Sequence, residues 1–295
     1  MKILVTGGAG FIGTNVIKVL LKKGYDVTSI DDYSTGKKEN EQEGCKYYDL
    51  DLSTVKYISI FAQKPDAIIH LAGMSRIQPS FEKPRMTFSN NVAATVNIME
   101  DARRNKIPVV YAGTSSVHGN IMANPYTFTK HQAEEIIKMY SLIYDVPSCI
   151  TRFYNVFGPH AATEGAYCNV LGVFDRLFKE GRPLTITGDG EQRRDFIHAE
   201  DIGKAIEKCL RAMWGEVDMK FSGMTLELGT GKNYSINQLA AAFGEDYPTK
   251  YIPATPGEMR ETRCSDNRTA MELLDWEPKI DVLNWITGEY QCLEY

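Results

Sequence analysis

Three residues stand at spacings that could move a proton and a hydride. Tyr126 and Lys130 lie four apart in Asn124-Pro125-Tyr126-Thr127-Phe128-Thr129-Lys130. Pro125 suits the first turn of a helix, and positions i and i+4 share one helix face. A tyrosine at its ordinary pKa of about 10 is a poor base at neutral pH; an ammonium beside it favours the phenolate. Thr114 closes the run Val109-Val110-Tyr111-Ala112-Gly113 and so falls at the carboxyl end of a strand. Ligands bind at that end in open α/β sheets, and a hydroxyl there could share a proton with Tyr126 and a substrate. An ordinary amphipathic helix also presents Tyr/Lys pairs, so the pair takes its meaning from what precedes it.

What precedes it is an N-terminal strand that breaks into glycines. Ile3, Leu4 and Val5 form an apolar run, followed by Gly7, Gly10 and Gly13 and then by a helical pattern of Val16, Ile17, Val19, Leu20 and Leu21. In this arrangement Gly7 permits the turn, Gly10 lets backbone N–H groups approach a pyrophosphate, and Gly13 lets the helix pack on the strand. The helix N-terminus adds unpaired donors and partial positive charge. A second strand ends at Asp31, whose carboxylate can accept from an adenosine ribose diol and would repel a 2′-phosphate. The expected cofactor is therefore NAD, not NADP, and its positive nicotinamide would further favour the Tyr126 phenolate.

These residues need a sheet to hold them. Strands are predicted at 2–6, 26–30, 46–48, 67–71, 108–112 and 148–153, and helices near 13–23, 54–63, 90–105 and 127–144. Such alternation predicts a Rossmann-type, doubly wound parallel sheet. Beyond about residue 155 Gly, Pro, Asn and Thr interrupt the pattern, with helices near 169–180, 200–213 and 236–243 and a strand at 225–228 that returns to the sheet. The division expected is a dinucleotide-binding domain over 1–155, with sheet contributions from about 190–230. A smaller, discontinuous substrate lobe covers most of 156–295.

Composition narrows the classes. A net charge of −5 argues against nucleic acid or an anionic membrane as partner. The six cysteines (45, 149, 168, 209, 264, 292) show no metal-binding spacing, so no metal is expected. Reduced thiols, the lack of a bilayer-length apolar run and a fold strand at the N-terminus suggest a cytoplasmic protein.

The chain resembles the extended short-chain dehydrogenase/reductase superfamily, and within it the nucleotide-sugar epimerase/dehydratase family, most of all the 4-epimerases of UDP-hexoses. The resemblance covers nearly the whole chain. It is carried by Gly7–Gly13, Asp31-Asp-Tyr-Ser-Thr-Gly-Lys, His70-Leu-Ala-Gly73, Asn90-Asn-Val, Thr114-Ser-Ser, Tyr126/Lys130, Arg152-Phe-Tyr-Asn-Val-Phe-Gly-Pro159 and Gly188-Asp-Gly-Glu-Gln-Arg-Arg-Asp-Phe-Ile-His198. It implies that Thr114, Tyr126 and Lys130 are catalytic. Phe11 and Ile12 in the glycine turn, then Asp31, Asp32, Ser34, Leu50, Leu71, Ala72, Gly73, Asn91 and Tyr154, would line NAD with Tyr126 and Lys130. Adenine would meet Asp49 or Asp51, with spacing favouring Asp49. Ser75, Ser115, Ser116, Asn169, Glu258 and Thr262 would meet the substrate, with Asn155 and Arg194 on the diphosphate, where a guanidinium fork matches phosphate oxygens. Arg194 could instead be a surface ion pair with Asp195 or Asp201. His198 reads as a structural histidine.

Within such a family, dehydratases carry Asp-Glu after the catalytic threonine, and decarboxylases a glutamate second after it. Here Ser115 and Ser116 supply no carboxylate for the sugar's C5 proton. The resemblance then implies 4-epimerisation through a transient 4-keto sugar, of UDP-Glc/UDP-Gal, UDP-GlcNAc/UDP-GalNAc or both, because Thr262 is intermediate in size where related enzymes gate the C2 substituent. It also implies a homodimer joined through the helices near 90–105 and 127–144, whose Val92, Val96, Met99, Ile136, Met139, Tyr140 and Ile143 exceed what one face against a sheet needs. A nucleotide-sugar reductase is the alternative within the family; it would use NADPH, against Asp31. A redox sensor that binds nucleotide without turnover is the alternative of another class; such proteins usually lose the Tyr/Lys pair kept here. The chain departs from the family pattern in a short 119–126 loop, in Thr255 where many relatives carry a phosphate-binding arginine, and in Thr187 where an aromatic often stacks on uracil.

Overall fold

Parallel strands buried on both faces must be apolar on both, and these are. In β1 (Lys2–Thr6), Ile3 and Val5 enter one core while Leu4 enters the other. The same alternation divides Ile69 from Ile68 in β4 (Ala67–His70) and Val110 from Tyr111 in β5 (Val109–Thr114). The computed structural model describes residues 1–55, 63–216, 221–254, 261–264 and 266–291. Within them β2 (Asp26–Asp31), β3 (Cys45–Asp49), β6 (Ser148–Phe153) and β11 (Ser222–Leu228) complete a seven-stranded sheet of order β11-β6-β5-β4-β1-β2-β3. Every pairing in it is parallel. The order reverses between β1 and β4, which opens a crevice at the carboxyl ends of the strands.

Helices cover both faces. α1 (Phe11–Lys22), α7 (Ala199–Arg211) and α9 (Arg268–Leu274) bury Ile17, Leu20, Ile202, Ile206 and Leu274 in one core. α4 (Ala94–Asn105) and α5 (Pro125–Tyr144) bury Ile98, Met99, Ala133, Ile137 and Tyr140 in the other. A third core lies apart from the sheet. It joins α6 (Val170–Lys179), α8 (Ile236–Ala242) and α10 (Val282–Ile286) around Phe174, Leu239 and Ile286. Three two-stranded ribbons accompany it: β7 (Asn155–Phe157) with β10 (Phe196–His198), β8 (Leu184–Thr187) with β13 (Thr249–Ile252), and β9 (Arg193–Arg194) with β12 (Tyr234–Ser235). No helix among the described residues is long and apolar enough to cross a membrane.

Several expectations shift. The first helix begins at Phe11 because Gly10 takes the N-cap position. α2 (Ile77–Glu82) and α3 (Pro84–Phe88) lie where no element was expected, and a π turn over Ser89–Ala93 precedes α4. The helix expected at 54–63 falls largely on residues 56–62, outside the described residues. Met99 and Tyr140, expected among the apolar positions beyond those one sheet-facing side needs, are both buried, because α4 and α5 pack on one another and the Tyr140 hydroxyl donates to Glu100 Oε1 at 2.8 Å.

The turn between β1 and α1 is the tightest fit in the crevice. A Cβ on Gly13 would lie 2.1 Å from the Gly7 carbonyl oxygen, a backbone atom that cannot swing aside. Gly13→Val should therefore lower stability by about 1–3 kcal/mol, as overpacking does, and strip the bound dinucleotide. Urea denaturation and assay of nucleotide released on heating check this; unchanged stability would mean that helix and turn do not approach so closely.

Candidate active site

The glycine turn brings backbone close to backbone at the head of the crevice. Gly7 adopts φ +72°, and a Cβ there would meet the Ala72 backbone N at 2.8 Å. Asp31, at the end of β2, is almost fully buried. Its Oδ2 accepts from Ala9 N at 2.9 Å and its Oδ1 from Tyr33 N at 2.9 Å. Burial raises its carboxyl above the ordinary value, against the N–H groups of Tyr33 and Ala9. Asp32 is exposed and holds Ser34 through backbone N–H and hydroxyl, at 2.9 and 2.6 Å. Asp49, exposed, pairs in register with Asp31, and Leu50 N donates to the Asp31 carbonyl. Asp51 instead caps a turn by accepting from Ser53 N at 2.8 Å. Three carboxylates at this edge suit a ribose diol and repel an added phosphate, so the residues fit NAD.

Across the crevice Leu71, Ala72 and Gly73 follow β4. Ala72 N donates to Thr6 Oγ1 at 3.2 Å, and Gly73 has φ +155°. Asn91, in the π turn, is buried beneath them: its Oδ1 accepts from Met74 N at 2.8 Å, and its Nδ2 donates to Met74 O and to Thr129 Oγ1. Its amide thus ties the 73–74 turn to α5, which is where an extra residue in a helical turn earns its place. His70 is sealed between Thr6 and Thr95, and burial, then Lys130, lowers its pKa to about 3.

Tyr126 and Lys130 lie in the first turns of α5, whose N-cap Asn124 accepts from Thr127 N at 2.8 Å. Thr114, nearly buried at the end of β5, accepts from Ser116 N and donates to Ser116 Oγ, both at 3.2 Å. Burial raises the Tyr126 phenol; its hydrogen bond with Thr114 and the charge of Arg76 oppose this. The cation expected to act on Tyr126 was Lys130. Here Lys130 Nζ donates to the Ala112 carbonyl at 2.5 Å and lies 4.1 Å from the centre of the Tyr111 ring. Burial pushes its pKa down to about 7, against the charge of Glu134. Tyr154 donates to Glu227 Oε2 at 3.2 Å, beside Arg152, which grips the buried Glu134.

A cavity of about 220 Å³ gathers the other end of the site. Arg76, Asn155, Asn169, Thr187, Gln192 and Arg194 share its lining. Asn155 Nδ2 donates to Asp195 O at 2.9 Å; Asn169 caps α6 through Gly172 N at 2.9 Å. Asp195, beside Arg194, accepts from Thr230 N, Gly231 N and Cys264 N. Thr262 is bound through its backbone to Arg193 and Asp195 on either side of Arg194, and its hydroxyl is buried without a partner. Ser75, in the segment after β4, is exposed, and Ser116, in the turn after β5, is partly buried. His198 caps α7 by accepting from Glu200 N. Glu258 and Thr255 lie outside the described residues. Arg76 was not anticipated; no motif marks it, and only its place after Ser75 could have drawn notice.

The fold and the glycine, acid and tyrosine/lysine geometry define an NAD-dependent Rossmann-type enzyme. Comparison with known proteins agrees, and the chain belongs to the NAD-dependent epimerase/dehydratase family, whose model matches residues 3–217. It is 30% identical to a putative UDP-glucose 4-epimerase of Methanocaldococcus jannaschii, over 96% of this chain and 98% of that protein. Among solved structures it resembles UDP-glucose 4-epimerase of Thermotoga maritima with UDP-glucose (TM-score 0.88, 26% identity, 100% of both chains). It is equally close to a UDP-N-acetylglucosamine 4-epimerase of Methanobrevibacter ruminantium in complex with UDP-N-acetylmuramic acid (TM-score 0.88, 26% identity, 98% and 97% covered).

Lys130 gives this site a direct titration. In protein stripped of NAD, one lysine should pass from ammonium to neutral amine at about pH 7, with the charged form below that pH. The 13Cε resonance that Lys130→Met removes should carry this midpoint in an NMR titration. A midpoint above pH 10 would show that burial does not govern the group.

Proposed function

We propose that the protein is a UDP-sugar 4-epimerase, acting on UDP-glucose/UDP-galactose, UDP-N-acetylglucosamine/UDP-N-acetylgalactosamine or both. The observation that carries this reading is Thr114, Tyr126 and Lys130 gathered where the carboxyl end of β5 meets the first turns of α5, with the hydroxyls of Ser115 and Ser116 directly after Thr114. Bound NAD supplies the acceptor and later the donor of hydride at C4. Tyr126 takes the C4 hydroxyl proton and returns it, with Thr114 sharing that proton. Nothing at 115 or 116 removes a C5 proton, so the 4-keto sugar is not drained into dehydration. Asn155, Asn169 and Arg194 hold the nucleotide diphosphate while the keto sugar turns over. Thr262 sets the room at C2. In this reading residues 1–155 chiefly hold NAD and 156–295 the nucleotide sugar.

We further propose a homodimer. α5 leaves Met139, Leu142, Ile143 and Tyr144 exposed, and Val92, in the π turn before α4, and Val96, on α4, are partly exposed. A two-fold pairing of α4 and α5 would bury such a surface twice.

Tyr126→Phe should lower turnover about 10²–10⁴-fold, the loss typical of a removed acid–base group, while keeping NAD. Sugar NMR on a panel of nucleotide sugars reads the first, and nucleotide released on denaturation the second. Near wild-type turnover would sink the assignment, and NADP in the supernatant would overturn the role of Asp31. Light scattering at micromolar concentration should give twice the chain mass; a monomer mass would count against the dimer.

A further inference from the structure

Arg76 belongs to no motif, yet it stands at the centre of the site. It immediately precedes α2, is half-buried, and donates through Nε to the Tyr167 carbonyl at 3.1 Å. Among the described residues no carboxylate pairs with it, whereas Arg152, Arg103 and Arg182 all have such partners. Its charge acts on both the Tyr126 phenol and the Cys168 thiol, so the guanidinium is near the reacting residues as well as in the wall of the cavity. It lines that cavity with Arg194, three carboxamides and two threonines, and among the described residues no acidic side chain shares the lining. A half-buried cation without a counter-charge is costly, and a guanidinium fork is matched by paired anionic oxygens. With no carboxylate paired to Arg76 among the described residues, its guanidinium leaves a ligand in this concave site to bring the negative charge.

We propose that Arg76 binds an anionic oxygen group of the substrate at the sugar end of this cavity, as a second cation beside Arg194. The inference rests on the site being one for a nucleotide sugar. Two parts of such a molecule carry the required chemistry: the phosphate next to the sugar, common to all nucleotide sugars, and a carboxylate on the ring, found only in uronic acid sugars. In the first case Arg76 anchors every substrate. In the second it selects an acidic sugar over a neutral one.

Calorimetric titration of the NAD-loaded protein with inorganic pyrophosphate, UDP, UDP-glucose and UDP-glucuronate separates these cases. With Arg76→Gln, a loss of about tenfold or more in affinity for pyrophosphate, UDP and both sugars places the guanidinium on the phosphate. The same loss confined to UDP-glucuronate places it on a ring carboxylate. Affinities within twofold of wild type for all four probes overturn the inference. Arg76→Lys keeps the charge without the fork and should lose less; it carries the test if the glutamine variant does not fold, as judged by NAD content and melting. Wild-type protein that binds pyrophosphate but no UDP compound would overturn the choice of uridine nucleotide instead, with the pyrophosphate arm still deciding Arg76.

Discussion

The buried pairing of Glu134 with Arg152 holds the reactive part of this molecule in register. Glu134 is fully buried on α5, one turn after Lys130, and Arg152 of β6 grips it through Nε and Nη2, the latter at 2.6 Å. Gly113 of β5 leaves the space, since a Cβ there would lie 2.7 Å from Glu134 Oε1. Arg152 also reaches Glu227 of β11 at 3.1 Å, so one guanidinium joins a helix to two strands. Removing either partner would strand a charge in the interior, a loss of about 3–5 kcal/mol. With the helix pinned there and by Asn91 on Thr129, Tyr126 has little freedom but to face Thr114.

Much of this was legible from spacing. A run of apolar residues with glycines behind it has few places to go, and Gly7, Gly13, Asp31 and Thr114 fall where a parallel sheet needs them. Asn155, Asn169 and Arg194, separated in sequence, meet at one cavity. The electrostatics were not legible. That Lys130 rests on the Ala112 carbonyl and the Tyr111 ring depends on a strand and a helix meeting in space, and no i, i+4 rule contains it. Arg76 was hidden for the same reason: its significance lies in a cavity assembled from loops far apart in the chain. The two short helices over 77–88 went unread because Pro79 and Pro84 look like breakers, although a proline also starts a helix well.

The crevice is electrically lopsided. Asp31, Asp32 and Asp49 gather at the edge of β2 and β3, while Arg76 and Arg194 sit at the far cavity. In the proposed reading, a dinucleotide enters with its ribose toward the acids, and a second nucleotide, carrying its own diphosphate, meets Arg76 and Arg194 at the other end. Such a field sorts two chemically similar ligands into opposite halves of a single groove, which a uniformly charged groove would not do.

Lys130 brings a consequence of a different kind. A group poised near neutrality is a mixture of two species at the pH of a cell, and its populations answer to whatever enters beside it. Any ligand that alters the surroundings of the ammonium must therefore take up or release a fraction of a proton. Filling this crevice is then coupled to the solvent's acidity, and the heat of binding will differ between buffers of different ionisation enthalpy even where the affinity does not.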